Sequence, residues 1–265
     1  MKKSILVPHD FTEVGNFAIE HAYMVGKASK SPIHLIHIVK SKSQIDSATE
    51  KLKEIATTFS EGKEVEIICE VRTGNLFKEI YQYGLEIDAY LAVMGTHGVK
   101  NIKKAMKVVK KFVKIPFILV QNPVIFGEYD RILIPVDNDK NSRVKVQWVR
   151  YINTLFESKV YLLTHNYSDG FKVKQLNNNL KFAKSIFDKN LIDYEIKVLE
   201  SSKNFSDSLY SYANNVESDL ILVMTDKYRK YIKELKKAEN LQLYKKIPIM
   251  CVNKRTDIIK LGSLG

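Results

Sequence analysis

The sequence predicts an α/β fold in two copies, and three observations carry this. Motifs recur at a nearly fixed spacing, short apolar runs alternate with longer segments of helical period, and the strand candidates are apolar throughout rather than at every second residue. "ILVPHD" (5–10) returns as "ILIPVD" (132–137), and "SPIHLIH" (31–37) as "SKVYLLT" (158–164), each 127 residues on. "LAVMGT" (91–96) answers "ILVMTD" (221–226) after 130 residues, and "KIPFILVQN" (114–122) answers "KIPIMCVNK" (246–254) after 132. The drift places small insertions between strands, as expected for two diverged copies of one unit. The boundaries that follow are 1–126 and 127–254, with a tail at 255–265 that has no counterpart.

Within the first copy the β-branched and aliphatic runs place strands near 4–8, 32–38, 65–71, 89–94 and 116–120. The intervening periodicity places helices near 15–29, 44–60, 75–86 and 101–113. In the last of these, Ile102, Ala105, Met106, Val109, Phe112 and Val113 recur at three and four residues, with lysines on the opposite face and Asn101 as the cap.

The whole-chain properties narrow the class. A chain of 265 residues that is 45% hydrophobic and 27% charged suits two globular units. No apolar run approaches the roughly eighteen residues of a membrane span, and the amino terminus has no signal-peptide core, so a cytoplasmic protein without membrane contact is expected. Cys69 and Cys251 sit singly in apolar runs, which predicts buried, reduced core residues and no metal knuckle. The net charge of +12 is spread over both halves and gives at most a weak, salt-sensitive attraction for polyanions. The lysine face over 100–114 lacks interleaved arginine and a stacking platform, and although the second copy has Tyr228, Arg229 and Tyr231 near its basic run, specific nucleic-acid readout is not expected.

In open parallel sheets ligands settle beyond the carboxyl ends of the strands, where the strand order reverses. In the first copy that places His9, Asp10, Gly95, Thr96, His97 and Gly98 at the crevice. Asp10 could accept hydrogen bonds, and glycines three apart allow the backbone to approach phosphate oxygens. His9, Asp10 and His97 could converge as a metal or acid–base cluster, with His37 at the end of the neighbouring strand. His34 and His37, three apart on a strand, face opposite sides, and no second carboxylate is fixed nearby, so no metal site and no enzymatic activity are expected.

The residues "ILVPHDFTE", "HLIHIV", "TGN" and above all "LAVMGTHG" together resemble the universal stress protein family in its tandem two-domain form. The resemblance implies two flavodoxin- or Rossmann-like sandwiches, each a five-stranded parallel sheet of order 3-2-1-4-5, packed as an internal pseudo-dimer through strands 114–121 and 246–253. It implies a stress-response role, and for members that bind ATP it implies nucleotide contacts at Pro8, Asp10, Ile38, Met94, Gly95 and Gly98. Those members continue from Gly-x-x-Gly through nine residues to Gly and Ser or Thr. Here Val108 and Val109 stand at those last two positions. A branched side chain takes the place of bare backbone, and a hydroxyl donor is lost. The expectation is a non-enzymatic regulatory module acting through protein contacts, with no required cofactor. Its alternative is a nucleotide sensor that binds ATP or AMP weakly in the first copy. The second copy has no glycine between Met224 and its last strand, and its Asp137 reads as a turn residue.

Overall fold

A computed structural model describes residues 3–60, 62, 64–97, 105–124, 127–199, 204–233 and 238–254. The chain divides into two compact units, Met1–Ile125 and Phe126–Gly265. In the first, strands β1 (Ser4–Pro8), β2 (Ile33–Val39), β3 (Ile67–Thr73), β4 (Ala89–Gly95) and β5 (Phe117–Val120) alternate with helices α1 (Glu13–Ser29), α2 (Ile45–Ser60) and α3 (Leu76–Glu86). A further helix, α4, covers 105–109. All strand pairs are parallel in the order β3-β2-β1-β4-β5. Ile5 of β1 is in register with Ile33 on one side and Leu91 on the other. All three are buried, so helices covering both sheet faces explain the unbroken apolar runs.

The second unit repeats the plan with β6 (Arg131–Val136), α5 (Val144–Phe156), β7 (Lys159–His165), α6 (Gly170–Lys189) and β8 (Tyr194–Leu199). It continues with α7 (Phe205–Asn215), β9 (Leu220–Met224), α8 (Thr225–Lys233), α9 (Ala238–Lys246) and β10 (Ile249–Val252). Its parallel sheet runs β8-β7-β6-β9-β10. Each unit therefore has the order 3-2-1-4-5 in its own count, the arrangement expected from the sequence.

Local chemistry sets the helix starts. Thr12 caps α1 by accepting from the Gly15 amide, while Asn75 and Asn204 cap α3 and α7 by accepting from the second and third amides after them. The entry to β6 is fixed by the Asp219 carboxylate, which accepts from the amides of Asp130 and Arg131 at 2.9 Å each. Among the described residues no helix is long and apolar enough to cross a membrane.

Three sequence expectations need correction. Cys251 is buried, but Cys69 is only half-buried, because β3 is the edge strand of its sheet and all of its residues are partly accessible. The helix expected over 101–113 has Asn101 and Ile102 outside the described residues, and its described part ends at 109. Its last turn tightens, with Lys111 N donating to Val108 O at 2.9 Å and Phe112 N to Val109 O at 3.3 Å. The chain then drops Phe112 against Gly84, where even a methyl group would lie 2.8 Å from the phenyl ring. The apolar face also differs: Val108, off the predicted stripe, is buried, and Val113, on it, is 47% exposed.

Candidate functional site

At the carboxyl end of the first sheet, β1, β2 and β4 together with α3 and α4 enclose a cavity of about 330 Å³. It brings together five of the six positions expected from the sequence: Pro8, Asp10, Ile38, Met94 and Gly95. Gly98 lies outside the described residues. His9, His37, Thr96 and His97 also line the cavity, as do Phe77 and Ile80 from α3 and Val108 from α4. The wall is mainly apolar.

The segment after β1 is held tightly. Phe11 has φ 61°, a left-handed conformation that a bulky residue seldom adopts. Its amide donates to His9 Nδ1 at 3.1 Å, its ring stacks on His37 with centroids 4.0 Å apart, and the Lys51 ammonium sits 4.6 Å over it. Because His9 Nδ1 accepts, its proton is on Nε2, which donates to Asn16 Oδ1 at 3.1 Å. Burial lowers the His9 pKa, in keeping with this neutral ring. Gly15 leaves room for the ring, since a Cβ there would lie 2.8 Å from His9 Nε2.

Asp10 closes the mouth. Its Oδ1 accepts from the Thr12 hydroxyl at 2.5 Å, and its Oδ2 accepts from His97 Nε2 at 2.8 Å. Although burial works to raise its pKa, these bonds hold the carboxyl below its ordinary value. The convergence of Asp10 with His97 that the sequence suggests is real, whereas His9 is tied to Asn16. Among the described residues no group of three or more His, Cys, Asp or Glu side chains is arranged to hold a metal ion. His34 and His37 do face different partners: His34 Nδ1 meets the Tyr83 hydroxyl at 2.8 Å, while His37 Nδ1 meets the His9 carbonyl oxygen at 2.8 Å.

Three positions of the phosphate motif take on different roles. A Cβ at Gly95 would lie 2.6 Å from the carbonyl oxygen of Val14, so this glycine permits the close approach of α1 to β4. Val108 is 2% exposed and lines the cavity, and Val109 is fully buried. Sequence reasoning passed over Gly15, Phe77 and Ile80. The apolar spacing of α3 signalled a buried face but not that part of this face would border a cavity.

The same region of the second unit is built differently. No turn separates β9 from α8, which starts at Thr225, the counterpart of Gly95. Phe205, the counterpart of Leu76, stacks on His165, the counterpart of Ile38, with centroids 3.9 Å apart. Asn240, the counterpart of Val108, is buried and donates to the Asp207 carbonyl oxygen at 3.0 Å and to its Oδ1 at 3.2 Å. Lys227 on α8 pairs with Asp137, and Lys254 bridges Asp226 at 2.9 Å and Asp139 at 3.6 Å. Asp137 is a turn residue as well, accepting from the Asp139 amide at 3.1 Å. Beneath this network Lys145 is buried and donates to the Pro135 carbonyl oxygen, and burial pushes its pKa down to about 8.

Comparison with known proteins agrees with this architecture. The model of the Universal stress protein family matches residues 1–111. Over both units the chain is similar to the crystal structure of a universal stress protein from Archaeoglobus fulgidus, with a TM-score of 0.71 at 16% identity, covering 96% of this chain and 97% of that one. It is similar also to a putative universal stress protein from Pseudomonas aeruginosa, with a TM-score of 0.64 at 13% identity, covering 99% and 96%. Such low identities speak for the fold alone. Comparison with curated proteins gives no significant match. Residues 1–111 thus form a domain that matches the universal stress protein family, and the second unit repeats the fold of the first.

Proposed function

We propose that this is a cytoplasmic, non-enzymatic stress-response module that acts through protein contacts, with ATP binding lost in the second unit and at most weak in the first. The observation that carries the reading is Val108, whose side chain borders the cavity at the position where ATP-binding members of the family have glycine. A triphosphate needs to lie close against bare backbone there, and a buried isopropyl group stands in the way. In the second unit Phe205 stacks on His165 and Asn240 bonds to Asp207, while Lys227 pairs with Asp137 as His97 does with Asp10 in the first. The non-enzymatic reading rests on polar groups already committed to each other: Asp10 to Thr12 and His97, and His9 to Phe11 and Asn16.

Calorimetric titration of the full chain with magnesium ATP tests this. No saturable binding below about 1 mM is expected, which is less than about 4 kcal/mol of binding free energy. Micromolar binding that Gly98→Val abolishes would overturn the reading and favour the nucleotide-sensor alternative. Pairing of the strongly apolar strands 114–121 and 246–253 belongs to the same proposal, since uncovered apolar strand edges invite aggregation. Replacing Ile118 by Lys is then expected to promote aggregation of the whole chain, and an unchanged monomer in size-exclusion chromatography would count against the pairing.

A further inference from the structure

We infer that the cavity of the first unit accepts a small, uncharged aromatic molecule that offers an N–H donor, and discriminates against anions. This rests on the reading that the phosphate cradle is lost and adds the polarity of the space that remains.

The hydrogen bonds around the cavity fix which groups can still act, and in which sense. His9 is committed at both nitrogens, to the Phe11 amide and to Asn16. The Thr96 hydroxyl donates to the Val120 carbonyl oxygen at 3.3 Å. His37 Nδ1 lies 2.8 Å from the carbonyl oxygen of His9, a group that can only accept, so the proton of the neutral ring is on Nδ1 and Nε2 carries a lone pair. His97 uses Nε2–H toward Asp10, which leaves a lone pair on Nδ1. The Asp10 oxygens accept. Among the described side chains of the lining, the polar capacity left over is therefore acceptor capacity: His37 Nε2, His97 Nδ1 and Asp10.

An oxyanion entering such a space meets lone pairs and a carboxylate, and an N–H group meets partners. The rest of the wall selects against full charge of either sign. Ile36, Ile38, Phe77, Ile80, Met94 and Val108 would strip water from an ion, and the one carboxylate of the lining, Asp10, is already bonded to Thr12 and His97. Apolar ring faces against these side chains, with one N–H edge toward His37 or His97, satisfy both halves of the lining. The volume of about 330 Å³ lies at the small end of ligand clefts. His37 is held for this role, since Phe11 stacks on its ring and the His9 carbonyl fixes its tautomer.

Three probes of nearly one shape separate the terms: indole has the N–H, 1-methylindole lacks it, and indole-3-carboxylate adds a negative charge. With the full chain, titration followed by chemical-shift changes or heat should show indole binding about 5- to 10-fold tighter than 1-methylindole, the ratio for one hydrogen bond. Indole-3-carboxylate should bind weakest. His37→Phe and, as a second variant, His37→Leu, each checked for native circular dichroism, should lower indole binding toward that of 1-methylindole. Equal binding of indole and 1-methylindole, tighter binding of the carboxylate, or no saturation by indole at millimolar concentration would overturn the inference. Tight ATP binding in the parallel titration would instead overturn the reading on which it rests.

Discussion

The two units place the same backbone around the same crevice and use it in opposite ways. Both units pair the residue after the first strand with one after the fourth, Asp10 with His97 and Asp137 with Lys227, but the first leaves Leu76 exposed beside a cavity while the second turns Phe205 onto His165. Leu76 and Phe205 follow asparagine caps of the same kind, yet Leu76 is 45% exposed at the cavity and Phe205 is 8% exposed against His165. The difference shows that strand order positions a crevice, and that a few side chains at its rim decide how it is lined.

The largest expected effect is on that rim. Phe205→Ala should destabilise the second unit by about 3–4 kcal/mol, whereas Leu76→Ala should cost less than about 1 kcal/mol, as read by denaturant unfolding. Equal costs would break the comparison.

Acidity should separate the units next, because each buries a base in its own way. His21 on α1 is buried, with Nε2 3.2 Å from the Asn122 carbonyl oxygen, and burial lowers its pKa to about 4. A base whose folded value is lowered takes up protons first in the unfolded chain. Stability from neutral His21 is thus present above about 6.5 and is lost as pH falls toward about 4, by up to roughly 3 kcal/mol at 1.4 kcal/mol per unit. Lys145 obeys the same rule in a higher window: burial places it at about 8 against an ordinary 10.5, so the second unit should gain stability as pH rises between those values. Lys145→Met should flatten that rise without loss of stability at neutral pH, since a buried charge gives way to a side chain of similar volume. Unfolding midpoints from pH 4 to 10.5, with and without the substitution, check both windows.

A smaller effect is expected for Lys227→Met. Its partner Asp137 is mostly buried, and removing the ammonium should cost about 1–2 kcal/mol, as read by denaturant unfolding.

Much of the fold was legible because buried parallel strands are written as continuous apolar runs, and the expected strands agree with the observed ones to within two residues. The fourth helix was overextended because the periodicity through Phe112 and Val113 continues past the point where Phe112 turns down against Gly84. At the site, the convergence of Asp10 with His97 could be read from strand ends. The senses of the hydrogen bonds could not, since they follow from the left-handed Phe11 and its contact with His37. Gly95 was ambiguous for a physical reason: a glycine that admits phosphate and one that admits a helix backbone look alike in sequence. The 2.6 Å approach to Val14 separates them.

The most direct test of the account is a crystal structure of the whole chain grown with millimolar magnesium ATP. The account predicts no triphosphate against Val108 in the first unit and Phe205 still stacked on His165 in the second. An ordered triphosphate lying along Gly95 and Val108, with both side-chain arrangements unchanged, would contradict it.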